Sequence, residues 1–180
     1  MLSFNLSSQT ATTVMGYPVI DLSALEPLGA VLSSSEASAR RTEMNNQTPS
    51  NDKFLSVGEA VSGVNGTWNE ISQKYQVMRN NANSGNSLNW AAAYNFCKEY
   101  TGEGGKAGEW RLPTENELYM IWILHPQLIG IGGFSAFTTT NYWSATEQSE
   151  TDAWGVYFFN GNTGFAGKFN MRVFRCVRDL

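Results

Sequence analysis

Few side chains in this sequence have types and spacing suited to chemistry: two cysteines, one histidine and a scatter of carboxylates. Cys97 and Cys176 stand far apart and neither belongs to a Cys-x-x-Cys pair. With His125 the single histidine, soft ligands are too few for a zinc site. The cysteines are either two independent buried thiols or one long-range disulfide; a bridge closing about 80 residues would be worth roughly 4–5 kcal/mol in the chain-entropy model. His125 sits beside Pro126 with no Ser or Cys partner in view and reads as a helix-end residue. Glu115 and Glu117 are accounted for by helix capping, and Glu147, Glu150 and Asp152 read as a solvated acidic turn. Gly130-Ile131-Gly132-Gly133 lacks the lysine and the strand-to-helix context of a phosphate loop. No catalytic constellation emerges, so the expectation is a non-enzymatic protein without catalytic residues, metal or cofactor.

The elements that must position everything else centre on Trp110 to Leu124. Thr114 can cap a helix, with Glu117 three residues on reaching back as a capping box. Glu115 and Glu117 place negative charge at the positive end of the helix dipole. Leu118 to Leu124 are apolar throughout, which predicts protein on most sides of this helix, and Pro126 is expected to end it. An earlier helix is predicted over Leu88–Tyr100, capped by Asn86 or Ser87, with Leu88, Ala92, Phe96 and Tyr100 on one stripe and Trp90, Ala93 and Cys97 on its neighbour. A Gly-rich loop, 102–108, joins the two. The C-terminal part of the chain is β: a strand over Tyr142–Thr146, then a hairpin, Trp154–Phe159 and Asn162–Phe165, turning at Asn160-Gly161 as a two-residue type I′ turn, then a last strand over Arg172–Arg178. Two helices and then a small antiparallel sheet make an α+β domain.

Of the 23 aromatic residues, 18 lie from Asn86 onward, so the packed domain is assigned to residues 54–180. Residues 1–53 are rich in Ser, Thr, Asn and Ala and read as an N-terminal extension, either partly ordered or an assembly arm. Its apolar pieces, Val14–Leu22 and Leu28–Leu32, are short enough to add an edge strand or pack on a neighbour. A net charge of −4 with no basic run argues against nucleic acid. No apolar stretch reaches the roughly 18 residues of a membrane span, so no membrane insertion is expected. The N-terminus of the given chain shows no signal-peptide pattern.

Trp110-Arg111-Leu112-Pro113-Thr114 with Glu117-Leu118, then Tyr142-Trp143-Ser144-Ala145-Thr146-Glu147, then Ala153-Trp154, then Arg175-Cys176-Val177-Arg178-Asp179 form an ordered motif string. It resembles the bacterial major-paralogous-domain family of surface and fimbria-associated proteins, built on the C-type-lectin-like fold. The resemblance covers roughly residues 65 to 180. It implies surface-exposed ligand binding and a Cys97–Cys176 disulfide from the first helix to the last strand. The string is more loosely similar to the variable proteins diversified by retroelements in phages and bacteria, which present a hypervariable face near the C-terminus. Two departures narrow the reading. The Glu-Pro-Asn or Gln-Pro-Asp loop and Trp-Asn-Asp strand of calcium-dependent lectins are missing, so no Ca²⁺-dependent sugar site is expected. The formylglycine enzymes, which share the fold, need a reactive cysteine pair, and a structural bridge leaves no thiol nucleophile.

The hairpin supplies the candidate site. With period two, Trp154, Val156 and Phe158 share one face, while Tyr157 and Phe159 share the other and point outward. Phe165, Phe169 and Phe174 are expected to extend that patch, with Asn160, Asn162, Asn170 and Arg172 around it and Gln148 and Glu150 nearby. Exposed aromatics rimmed by Asn, Gly and Arg have the composition of a binding surface; the alternative is a second packing layer, with these rings covered by residues 1–60. Trp110, Trp122, Trp143 and Trp154 read as core. The expected protein is a ligand-binding or adhesion module displayed on a bacterial or phage surface, with a cell-surface protein or glycan as partner. The alternatives are a pilus or tail subunit that binds other subunits, and a formylglycine-enzyme-like protein.

Overall fold

The helix at the centre of the motif string starts where its cap lies. In a computed structural model describing residues 11–24, 31–55 and 68–180, helix α3 spans Glu115–Leu128. The Thr114 hydroxyl accepts the Glu117 N–H at 3.2 Å, and the Glu117 carboxylate accepts the Thr114 N–H at 2.9 Å. Two expectations for this helix are corrected. It is one-sided rather than enclosed: Leu118, Ile121, Leu124 and Leu128 are buried, while Tyr119 and Ile123 are exposed. It also runs past Pro126. Proline brings no N–H to the Trp122 carbonyl, and His125 Nδ1 meets that carbonyl instead at 2.5 Å, which requires the Nδ1–H tautomer. His125 thus repairs the break made by its neighbour.

Helix α2 is shorter than its apolar pattern suggested, Trp90–Glu99, with Asn89 as the cap. Leu88 is unavailable to it, because its N–H and C=O exchange bonds with Arg172, each at 3.0 Å. The stripe that faces the core is Trp90, Ala93, Tyr94 and Cys97. A further helix, α1 (Ser34–Asn45), carries its own capping box from Ser33 and Glu36.

The described residues form three sheets rather than one. The largest has the order β1 (Ala11–Val14), β2 (Tyr17–Asp21), β5 (Lys74–Val77), β10 (Val177–Asp179), β6 (Trp110–Arg111), with every pairing antiparallel. A short parallel pair joins β3 (Val31–Leu32) to β4 (Ile71–Ser72). The third sheet is β7 (Asn141–Glu147), β8 (Asp152–Tyr157) and β9 (Thr163–Gly167). The last strand therefore pairs with β5 and β6 rather than with the hairpin. Of the stretch assigned to an extension, β2 lies between β1 and β5 in the large sheet. Residues 1–10 and 25–30 of that stretch lie outside the described residues, as do 65–67 of the motif region. No described helix is long and apolar enough to cross a membrane.

The third sheet is covered on both faces along β7 and opens to solvent along β9, which sets what its hairpin can display. Trp143, Ala145 and Ala153 face the cluster of Trp90, Trp110, Phe174 and the cysteines. Tyr142, Val156 and Phe158 face α3 and the large sheet. Cys97 and Cys176 are bonded as a disulfide inside the first cluster. The Arg111 of the Trp-Arg-Leu-Pro-Thr string is fully buried: it bonds Glu117 at 2.6 Å and Asp179 at 2.6 Å, with its guanidinium 4.4 Å from the Trp68 ring. Burial opposes the Arg111 charge, and the two carboxylates outweigh that and hold its pKa above the usual value. The ends of the motif string thus share one ionic network that clamps α3, β6 and β10 together.

Candidate functional site: the exposed hairpin and the outer face of α3

The β8–β9 connection is not a two-residue turn. Tyr157 donates to the Asn162 carbonyl at 2.8 Å, and four residues, Phe158 to Gly161, cross between them. Phe158 leaves the ladder to enter the core, where its ring stacks on Phe137 at 4.0 Å and meets Tyr142 at 4.7 Å. Gly161 closes the loop with φ +77°, and a Cβ there would run into the Trp122 ring. With Phe158 anchored, Phe159 is thrown outward and is 75% exposed.

Tyr157 lies on the face of β8 shared with Ala153 and Gly155. A Cβ on Gly155 would collide with the Tyr142 carbonyl and with Asn141 and Arg172. The glycine therefore admits Arg172, whose guanidinium lies 4.5 Å from the Trp143 ring. Burial lowers the Arg172 pKa below the usual arginine value, opposed by the nearby Tyr157 hydroxyl. Arg172 Nη1 and both amide atoms of Asn141 are buried without a hydrogen-bond partner in the described structure. Tyr157, Arg172 and Asn141 thus form one polar corner with unused bonding capacity.

The other face of the hairpin carries a second set. Trp154 pairs across the strands with Phe165, their rings near perpendicular at 5.4 Å. Thr163, two residues from Phe165 on the same face, lies beside the Glu115 carboxylate at the start of α3. The Glu115 carboxyl is half-buried there and pushed above its ordinary value by that burial. Tyr119 and Trp122 stack at 5.7 Å on the outer side of α3, with Trp122 against Gly161. The exposed rings of Phe165 and Tyr119 therefore flank one seam between hairpin and helix. Tyr119 and Trp122 are absent from the site expected from sequence, although helical spacing from Leu118, Ile121 and Leu124 leaves them off the buried stripe.

Among the residues expected at a site, Tyr157, Phe159 and Phe165 are exposed, as are Asn160, Asn162, Asn170, Gln148 and Glu150. Phe169, grouped with them, is exposed as well. Tyr157 and Phe165 lie on opposite faces of the hairpin, so the aromatics do not form one flat patch. Phe174 does not belong to the surface: it is fully buried and meets Phe96 edge-on at 5.3 Å. Trp110 and Trp143 are core, whereas Trp122 and Trp154 are half-buried at the seam. Glu147 is not solvated. It is buried, bonds Lys168 Nζ at 2.5 Å and accepts the Leu55 N–H at 2.9 Å, while Lys168 also donates to the Lys53 and Glu150 carbonyls. This ion pair ties residues 53–55 to the hairpin base. Among the described residues no three His, Cys, Asp or Glu side chains cluster as metal ligands.

The Lcl C-terminal domain family matches residues 62–178, a span that takes in Arg111 and Glu117 of the ionic clamp, the disulfide and the whole hairpin, and stops one residue short of Asp179. The chain belongs to the Lcl C-terminal domain family. That family is related to the variable proteins of diversity-generating retroelements, which agrees with the looser of the two resemblances seen in the sequence. No curated protein matches the chain. Membership points to a ligand-binding module, with the motif string spent on the clamp and core and the hairpin left to face solvent.

Proposed function

We propose that this Lcl C-terminal domain is a non-enzymatic recognition module of C-type-lectin-like fold, displayed on a bacterial or phage surface, whose hairpin holds a cell-surface protein or glycan. One observation carries the reading. Of the nine large apolar side chains exposed among the described residues, five (Tyr157, Phe159, Phe165, Phe169 and Met171) fall in one short segment of chain. Rings held out by a rigid frame supply contact area at small entropic cost, and the Asn side chains around them supply adaptable hydrogen bonds. The buried clamp, the Glu147–Lys168 pair and the disulfide hold the frame, so side chains on the hairpin can change without unfolding it. Retroelement diversification of those positions is part of the same proposal.

The test is a glycan array and a panel of cell-surface proteins probed with the wild type and with Tyr157→Ala/Phe159→Ala/Phe165→Ala. Binding by the wild type that disappears in the triple variant, at a nearly unchanged melting temperature, supports the proposal. Binding that survives in the triple variant sinks it.

A further inference from the structure

Away from the hairpin, backbone strain and unused polar groups coincide in one place. Among the described residues four that are not glycine adopt positive φ: Met15, Asn83, Ser84 and Glu103. Left-handed backbone is costly for Met, Ser and Glu, less so for Asn, and persists where the surroundings impose it. Three of the four line one cavity of about 370 Å³ between the 78–84 segment and the end of α2.

The floor of this cavity is aromatic. The rings of Phe96 and Tyr100 are near parallel, 16° apart with centroids at 6.2 Å. Each is braced by a buried ring almost perpendicular to it, Phe174 behind Phe96 and Trp110 behind Tyr100. The Tyr100 hydroxyl lies where a Cβ on residue 102 would be, so Gly102 permits the pose. Glu103 stands at the wall. Its two carboxylate oxygens accept the Arg79 N–H at 3.1 and 3.2 Å, and its main-chain carbonyl accepts from Gln76 at 3.0 Å. Burial raises the Glu103 pKa, while the charges of Arg79 and Arg175 oppose that rise from inside the fold. Asn80, Asn83, Ser84 and the Tyr100 hydroxyl have no side-chain hydrogen bond to any described residue, which leaves donors and acceptors of both kinds facing the space.

We propose that this cavity binds a neutral polyhydroxyl ring of hexose size, its apolar face on Phe96 and Tyr100 and its hydroxyls on Glu103, Asn83 and Ser84. Aromatic rings in the lining suit the apolar C–H face of a sugar ring, and amide and hydroxyl groups that both donate and accept suit its hydroxyls. The site is separate from the hairpin and does not depend on what the hairpin binds.

The test is a ¹⁵N–¹H NMR titration of the full chain with the methyl glycosides of glucose, galactose, mannose and N-acetylglucosamine, with tetramethylammonium chloride as the cationic comparison. The expected result is saturable shifts at the amides of Asn83, Ser84, Glu103 and Gly104 with at least one glycoside. Tyr100→Ala and the nearly isosteric Glu103→Gln should each weaken that binding by about tenfold or more, since each removes a ring face or a charged acceptor. Tyr157→Ala/Phe159→Ala/Phe165→Ala should leave it unchanged. No saturable shift with any glycoside overturns the proposal, as do shifts confined to the hairpin, a preference for tetramethylammonium, or affinity that survives in Glu103→Gln while its melting temperature matches the wild type.

Discussion

Replacing Phe158 and Phe159 by alanine, one at a time, sets neighbouring residues of one type against each other. Phe158 is 6% exposed, stacked on Phe137 at 4.0 Å and in contact range of Tyr142 and His125. Truncating such a ring removes its burial and leaves a cavity, a loss of about 3–5 kcal/mol. For a chain of this length that corresponds to a fall in Tm of roughly 6–20 °C. Phe159 is 75% exposed, and its removal should stay within about 0.5 kcal/mol, or roughly 2 °C. Circular-dichroism melting of both variants reads the difference. Similar losses for the two, or a larger loss for Phe159→Ala, would refute the assignment of one ring to the frame and the other to the displayed surface.

Removing the bridge with Cys97→Ala/Cys176→Ala opens a sequence separation of 79 residues, worth about 4.5 kcal/mol in the chain-entropy model, and chemical denaturation of the double variant should show a loss of that order. Arg111→Met leaves Glu117 and Asp179 buried without their cation and should cost about 3–5 kcal/mol by the same measurement. The Asp179 carboxyl, raised by burial but lowered further by Arg111, sits below its usual range. Its contribution is therefore complete above about 3.9, the unfolded value, and is lost as pH falls through the lower folded value; Asp179→Asn should flatten that part of an acid-unfolding curve. Glu147 has the opposite sign: burial raises its pKa, so the folded chain keeps that proton to higher pH than the unfolded chain. Stability should thus decline as pH rises from about 4.3 toward the folded value, and Glu147→Gln should remove this decline from a pH series of melting curves.

The features legible in the sequence are local. The Thr114–Glu117 capping box spans three residues, so its signal is contained in its own window. The alternation that turns Tyr157 away from Val156 is likewise carried by adjacent residues, whereas Phe159 lies past the end of β8 and is turned outward by the loop. The failures are long-range. Reading Arg172–Arg178 as one strand puts Phe174 on the surface; only Val177–Asp179 forms a ladder, and the chain before it passes from the third sheet into the core between α2 and the large sheet. Glu147 looks solvated among its acidic neighbours because its cation, Lys168, lies on the far side of the hairpin. Arg111 and Asp179 are 68 residues apart, and nothing in either segment names the other. The seam of Tyr119, Trp122 and Phe165 needs α3 laid against the hairpin loop, which the Gly161–Trp122 contact reveals and no local pattern in the sequence does.

A fixed frame carrying a changeable surface is the central claim. Deep sequencing of the gene's 3′ end in a population grown from one cell, with its flanking DNA, tests it most directly. The account predicts substitutions at Gln148, Tyr157, Phe159, Asn162 and Asn170, all exposed, with Trp143, Trp154 and Cys176 unchanged and a template repeat nearby that differs mainly at adenines. Codons that are invariant throughout, or substitutions falling as often on Trp143 and Cys176 as on the hairpin, would contradict it.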